Sequence, residues 1–125
     1  MCHTADNEFF NAVLHQIDLV KASGRKIIIA GNGGSAALAS HVAVDFTKAA
    51  CVRAINFNEA DLITCYANDY GYEHWLSQAF LSYADQGDLA ILVSSSGRSA
   101  NILNAAKTAR EMGLTLATFS GFLAG

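Results

Sequence analysis

Proline is absent from the 125 residues, and charge is scarce: Lys, Arg, Asp and Glu together make up 15% of the chain. The first absence excludes a proline-rich linker and argues against a string of domains joined by one. The second, beside a hydrophobic fraction of 52%, excludes a disordered segment, which is polar and strongly charged. Basic runs are missing too. The eight Lys and Arg residues are scattered, whereas a duplex-binding protein carries a basic stripe, so no nucleic-acid partner is expected. No apolar stretch reaches the roughly 20 residues of a membrane span. The segment from Met1 to Asp6 lacks the basic-then-apolar order of a signal peptide. Cys2, Cys51 and Cys65 form no CxxC and read as free thiols in a reducing compartment. The expectation is one cytoplasmic domain over 1–125, with no membrane partner, acidic on balance at a net charge of −3. A chain of this length buries about two thirds of the surface its unfolded state exposes.

What is present alternates. From Ala5 to Ser23, Phe9, Phe10, Val13, Leu14, Ile17 and Val20 recur at the spacing of an amphipathic helix, with Gly24 placed to end it. Lys26 to Ala30 carries Ile27-Ile28-Ile29, a run apolar on both faces, which suits a strand of a covered parallel sheet. Gly31 to Gly34 breaks that run, and Ser35 to Lys48 reads as a helix with Ser35 as its N-cap. Val52 to Phe57 is expected as a second strand. Glu59 to Ala67 and Tyr72 to Tyr83 are expected as helices, separated by a turn at Asn68-Asp69-Tyr70-Gly71. Leu89 to Val93 reads as a third strand, Ala100 to Met112 as a helix stopped by Gly113, and Leu114 to Phe119 as a fourth strand. Such alternation implies parallel βαβ units with right-handed crossovers. In these sheets ligands bind beyond the carboxyl ends of the strands.

Two polar loops occupy those ends. Gly31-Asn32-Gly33-Gly34-Ser35 follows the first strand. Its glycines permit a close approach of the backbone, and the helix behind it offers free N–H groups and a positive dipole end, which favour an anion. A tight turn without a ligand is the alternative. The loop also fits G-x-G-x-x-G/A through Gly31, Gly33 and Ala36. A dinucleotide fold, however, wants an acidic residue at the end of the second strand, where this chain has Asn56 and Asn58, with Glu59 beyond them. Ser94-Ser95-Ser96-Gly97-Arg98-Ser99 follows the third strand. Its hydroxyls and amides suit a phosphate monoester, while a solvated turn capped by Ser99 is the plainer reading. A dinucleotide fold has no need of this second loop.

GNGGSAALASH, the Ala67-Asn68-Asp69 triplet and GDLAILVSSSGRSANILNAAKTAREMG resemble the sugar isomerase (SIS) domain, and within it the phosphoheptose isomerase subgroup, over about Gly24 to Gly121. The resemblance implies a flavodoxin-like three-layer α/β/α sandwich with a parallel sheet. It divides the single domain into an N-terminal packing helix, 1–23, and a phosphosugar-binding core, 24–121. It also implies a chain truncated before the C-terminal strand and helix of the family. The family assembles as a homotetramer, and the Phe9/Val13/Ile17 face would suit that packing. The activity implied is aldose–ketose isomerisation of sedoheptulose 7-phosphate to D-glycero-D-manno-heptose 7-phosphate. The alternative is a non-catalytic phosphosugar-binding module that regulates by binding a replication initiator.

By the same resemblance Ser94, Ser95, Ser96 and Ser99 would cradle the phosphate, Asn32 and Ser35 would contact the sugar phosphate, and Asp69 would touch its hydroxyls. Isomerisation needs a general base, and an acid or metal that polarises the carbonyl. His41 and Asp45, four apart on one helix face, are either a surface pair or part of that machinery. His41 matches the family's zinc-ligand histidine. Asp45 stands at its catalytic glutamate, one methylene shorter, and would serve as base and metal ligand. Zinc is therefore the implied cofactor, although the family's second catalytic histidine and a glutamine–histidine pair fall beyond the last strand of this chain. The family's arginine near the end of the helix is replaced by Ala49, with Lys48 just before it. His15 and His74 read as structural or exposed, and Trp75 and Phe80 as core or interface.

Overall fold

The computed structural model describes residues 4–121. Cys2, His3 and 122–125 lie outside the described residues. Among the described residues nine elements follow one another: α1 (Thr4–Ala22), β1 (Ile27–Gly31), α2 (Gly34–Lys48), β2 (Ala54–Ile55), α3 (Ala60–Tyr70), α4 (Tyr72–Tyr83), β3 (Leu89–Ser94), α5 (Ala100–Glu111) and β4 (Thr115–Ser120). The four strands form one parallel sheet in the order β2-β1-β3-β4. This is the flavodoxin-like order, doubly wound about β1.

The isoleucine run explains the layers. Alternate residues of a strand face opposite sides of its sheet. Ile28, Ala30, Ala90 and Leu92 pack under Trp75, Leu76, Phe80, Ile102 and Ala105 from α4 and α5. Ile27, Ile29, Leu89 and Ile91 pack under Val20, Ala39 and Ala43 from α1 and α2. Both central strands are therefore covered twice, and Ile27, Ile28, Leu89 and Ala90 are fully buried. Each such isoleucine or leucine contributes about 1.5–3 kcal/mol relative to leaving it exposed. The third layer predicted for the SIS resemblance is thus in place.

The amino edge of the sheet is clamped by a buried acid. The Asp88 side chain is fully buried and receives the Lys26 ammonium at 2.6 Å. Its oxygens also accept from the Lys26 amide at 3.1 Å and the Asp85 amide at 2.8 Å. Burial alone would lower the pKa of Lys26, but hydrogen bonds to Asp85 and Asp88 and their charges outweigh it and raise the value. Asp85, exposed beside the same ammonium, is lowered by that hydrogen bond and charge.

Three expectations are corrected. The second strand is not Val52–Phe57 but Ala54–Ile55. The Val52 amide bonds back to the Phe46 carbonyl at 3.0 Å, and the Asn56 side chain accepts from the Asn58 amide at 2.9 Å, an Asx-turn that takes the backbone out of the ladder. The expected turn at 68–71 shrinks to Gly71, because α3 continues through Asn68, Asp69 and Tyr70. Gly71, at φ 87°, alone separates α3 from α4. Ser35 is not the N-cap of α2. That position belongs to Gly33, at φ 54°, without a side-chain cap bond, because the first turn closes on the Asn32 carbonyl.

Candidate active site

The chain leaves β1 toward β2 on one side of the sheet and returns to β3 on the other, so the strand order reverses between β1 and β3. Gly31, the last residue of β1, stands opposite Val93 of β3. The loops that follow these two strands therefore emerge side by side at the switch point, where open α/β sheets bind ligands.

Glycine is required at the first loop by contact. A Cβ on Gly31 would lie 2.6 Å from the Ser35 Cβ and 2.9 Å from the Val93 carbonyl oxygen. The Asn32 carbonyl accepts from the Ser35 amide at 2.9 Å and the Ala36 amide at 3.3 Å. The amides of Gly33 and Gly34 have no backbone acceptor among the described residues. Ser35, displaced from the cap, lies over Gly31 in the first turn of α2.

The second loop folds on its own hydroxyls. Ser94 Oγ accepts from the Gly97 amide at 3.1 Å, and Ser96 Oγ accepts from the Arg98 amide at 3.2 Å. Each hydroxyl keeps its proton to donate. Ser99 takes the N-cap position of α5, as expected, but makes no side-chain cap bond. Its carbonyl instead starts the helix by accepting from the Leu103 amide at 3.0 Å. The Gly121 amide donates to the Ser95 carbonyl at 3.0 Å and ties the end of β4 to this loop. The loop thus presents hydroxyl protons, amides and the start of a twelve-residue helix.

The expected Asn32 is joined to the second loop and to α4 by two residues that the sequence did not single out, Asn101 and Tyr72. Asn32 and Asn101 exchange a reciprocal pair of carboxamide hydrogen bonds at 2.9 and 2.8 Å, and the Tyr72 hydroxyl donates to Asn32 Oδ1 at 3.0 Å. Asn101 is buried in the first turn of α5. The signal for it was present. Helix periodicity puts residue 101 on the face that also buries Ile102, Ala105 and Ala109, and a carboxamide there needs a partner.

His41, Asp45 and Asp69 pair within their own helices. His41 Nε2 and Asp45 Oδ2 pair at 3.5 Å with both side chains largely exposed. α2 starts at the first loop and runs away from it, so at ~1.5 Å per residue Asp45 lies roughly 16 Å along the axis from Gly34. Asp69, in the last turn of α3, accepts from the Cys65 thiol at 3.9 Å and from the Asn68 carboxamide at 3.3 Å. Its junction with α4 reaches the first loop through Tyr72. Glu59 is used as an N-cap, accepting from the Asp61 and Leu62 amides at 3.2 and 2.8 Å, and Asn58 is held by the Ala36 carbonyl and Ser40. Neither is left for a ribose.

The SIS domain family model matches residues 3–121. The chain belongs to the SIS-domain family. It is 39% identical over 105 residues to a phosphoheptose isomerase of Bradyrhizobium, covering 79% of this chain and 53% of that protein. It is 36% identical to one of Campylobacter concisus, covering 79% of this chain and 56% of that one. The solved phosphoheptose isomerase of Neisseria gonorrhoeae superposes with a TM-score of 0.88 at 30% identity, covering 94% of this chain and 65% of the other. That of Francisella tularensis gives 0.87 at 21% identity and shows the shared fold alone. The chain spans about half the length of the curated relatives it matches.

In this SIS domain, then, the four strands and two loops of the expected core are assembled. The expected metal donors His41 and Asp45 stand together as a pair. A zinc site draws three or four protein ligands together. His41 and Asp45 supply two from one exposed helix face, and no group of three His, Cys, Asp or Glu side chains gathers among the described residues. No described helix is long and apolar enough to cross a membrane.

Proposed function

We propose that this SIS domain binds a sugar phosphate across the β1/β3 switch point and is part of a phosphoheptose isomerase, converting sedoheptulose 7-phosphate to D-glycero-D-manno-heptose 7-phosphate. The observation that carries the binding half is the adjacency of the two loops, fixed by the pairing of Gly31 with Val93. The isomerase half is supported by the names of the relatives.

In this reading the phosphate sits at the serine loop. Ser94 and Ser96 donate their remaining hydroxyl protons, Ser95 and Ser99 add theirs, and the start of α5 contributes its positive end. The sugar extends toward the first loop, where Asn32, Ser35 and the free glycine amides meet its oxygens, and Asp69 accepts from hydroxyls. Asp45 is the candidate base. It stands away from its own chain's crevice, so it serves the crevice of another copy in a homo-oligomer. An apolar face supports self-association: Phe10, Leu14 and Leu38 of α1 and α2 are 49%, 58% and 51% exposed around an apolar cavity of about 350 Å³.

Calorimetric titration with sedoheptulose 7-phosphate, paired with a turnover assay, tests both halves. Binding is expected in the wild type and lost in the Ser96→Ala, Ser99→Ala double variant. Binding that survives this change removes the loop assignment. Turnover that survives Asp45→Asn removes the base assignment.

A further inference from the structure

The Asn32 carboxamide lies between the two loops with almost all of its hydrogen-bonding capacity used. A carboxamide has two N–H donors and one oxygen with two lone pairs. Asn32 Oδ1 accepts from Asn101 Nδ2 at 2.8 Å and from the Tyr72 hydroxyl at 3.0 Å, which fills it. One N–H of Asn32 goes to Asn101 Oδ1 at 2.9 Å. A single N–H remains.

From this we infer that Asn101 and Tyr72 are positioning residues that hold the Asn32 side chain so that it can only donate, and that the ligand atom facing it is an acceptor oxygen. The inference rests on the sugar-phosphate reading for its ligand, but not for its geometry. Free to rotate, an asparagine presents either its oxygen or its nitrogen to a ligand and selects for neither. Locked from two sides, it presents one proton in one direction. The lock is built from three elements: the turn after β1, the first turn of α5 behind the serine loop, and the start of α4. It also sets the spacing of the loops, because Asn101 is two residues beyond Ser99. Asn101 is 2% exposed, so its carboxamide cannot turn to water if Asn32 moves, and leaving a buried amide unsatisfied is unfavourable. The Tyr72 ring packs near Trp75, with centroids 6.3 Å apart, which steadies its hydroxyl.

Two readouts on the full chain test this separately. The first needs no ligand. In an isotope-labelled sample, the Asn32 carboxamide protons are assigned by their loss in Asn32→Ala, and their exchange with solvent is compared with that of exposed Asn11. The Asn32 proton bonded to Asn101 is expected to exchange at least about tenfold more slowly, the scale of one ordinary hydrogen bond. Asn101→Ala brings it to the Asn11 rate and Tyr72→Phe moves it part of the way. An Asn32 rate equal to that of Asn11 in the wild type, or unchanged in both variants, overturns the inference. Tyr72→Phe removes one oxygen and keeps the ring, so the test stands even if Asn101→Ala fails to fold.

The second readout is affinity for sedoheptulose 7-phosphate. Asn101→Ala is expected to weaken it by about tenfold, while the Asn32→Ala, Asn101→Ala double variant binds no more weakly than Asn32→Ala alone, as for a residue that acts through another. Fully additive losses overturn the positioning role and leave Asn101 a merely structural residue. If the wild type does not bind the sugar phosphate, the functional reading fails and the exchange rates still decide the lock.

Discussion

Gly31 shows how little room the site leaves a single residue. It is the last residue of β1, and any side chain there must displace Ser35 or the Val93 carbonyl, at 2.6 and 2.9 Å. Gly31→Ala is therefore expected to lose about 1–3 kcal/mol of stability through overpacking, read by urea denaturation, and to weaken phosphate binding by prising Ser35 off the loop. An unchanged midpoint would mean that the loop has slack the geometry denies. Asp88 is the counterpart at the opposite edge of the sheet. It is fully buried and satisfied by one ammonium and two amides. Asp88→Ala leaves the Lys26 ammonium with Asp85 alone and takes the acceptor from the Lys26 and Asp85 amides, which is expected to cost about 1–3 kcal/mol for each amide without touching the two loops, so denaturation and ligand titration should separate the two variants.

The helices and central strands were legible because their signals are local. Ile27-Ile28-Ile29 reads as a doubly covered strand from three residues, and Gly24 and Gly113 mark helix ends with positive φ. β2 was not legible at its true length. What cuts it short is a bond from the Val52 amide to α2 and an Asx-turn at Asn56, neither of which changes the apolar pattern. The same distinction holds in the site. The glycine and serine loops announce themselves, whereas the Asn32–Asn101 pair joins residues 69 apart. At this scale the Lys26–Asp85–Asp88 cluster, which joins β1 to the β3 entry, predicts an acid response. The Asp85 pKa is lowered from 3.8 by its hydrogen bond to Lys26. Its contribution is present above that value and disappears as pH falls through the lower, folded-state value. Melting temperature is expected to drop across that window, and to drop less steeply in Asp85→Asn. Equal slopes would show that the pair is too well solvated to matter.

Taken whole, the molecule is a sheet wound in both directions from β1, with its glycine and serine loops at the point of reversal and its buried ion pair at the amino ends of the same strands. The proposed binding site and the ion pair thus occupy opposite ends of the same strands. The chain is acidic, with a net charge of −3, so the proposed phosphate site draws on groups in the crevice rather than on a general positive field, and binding is expected to weaken only modestly with salt. The most direct test is a nuclear magnetic resonance titration of the full chain with sedoheptulose 7-phosphate, following every backbone amide. The structure predicts shifts in Gly33–Ser35 and in Ser95–Ser99 together, with one dissociation constant, and their disappearance in the Ser96→Ala, Ser99→Ala variant. Shifts confined to one loop, or centred away from both, would contradict a single sugar-phosphate site at the β1/β3 switch point.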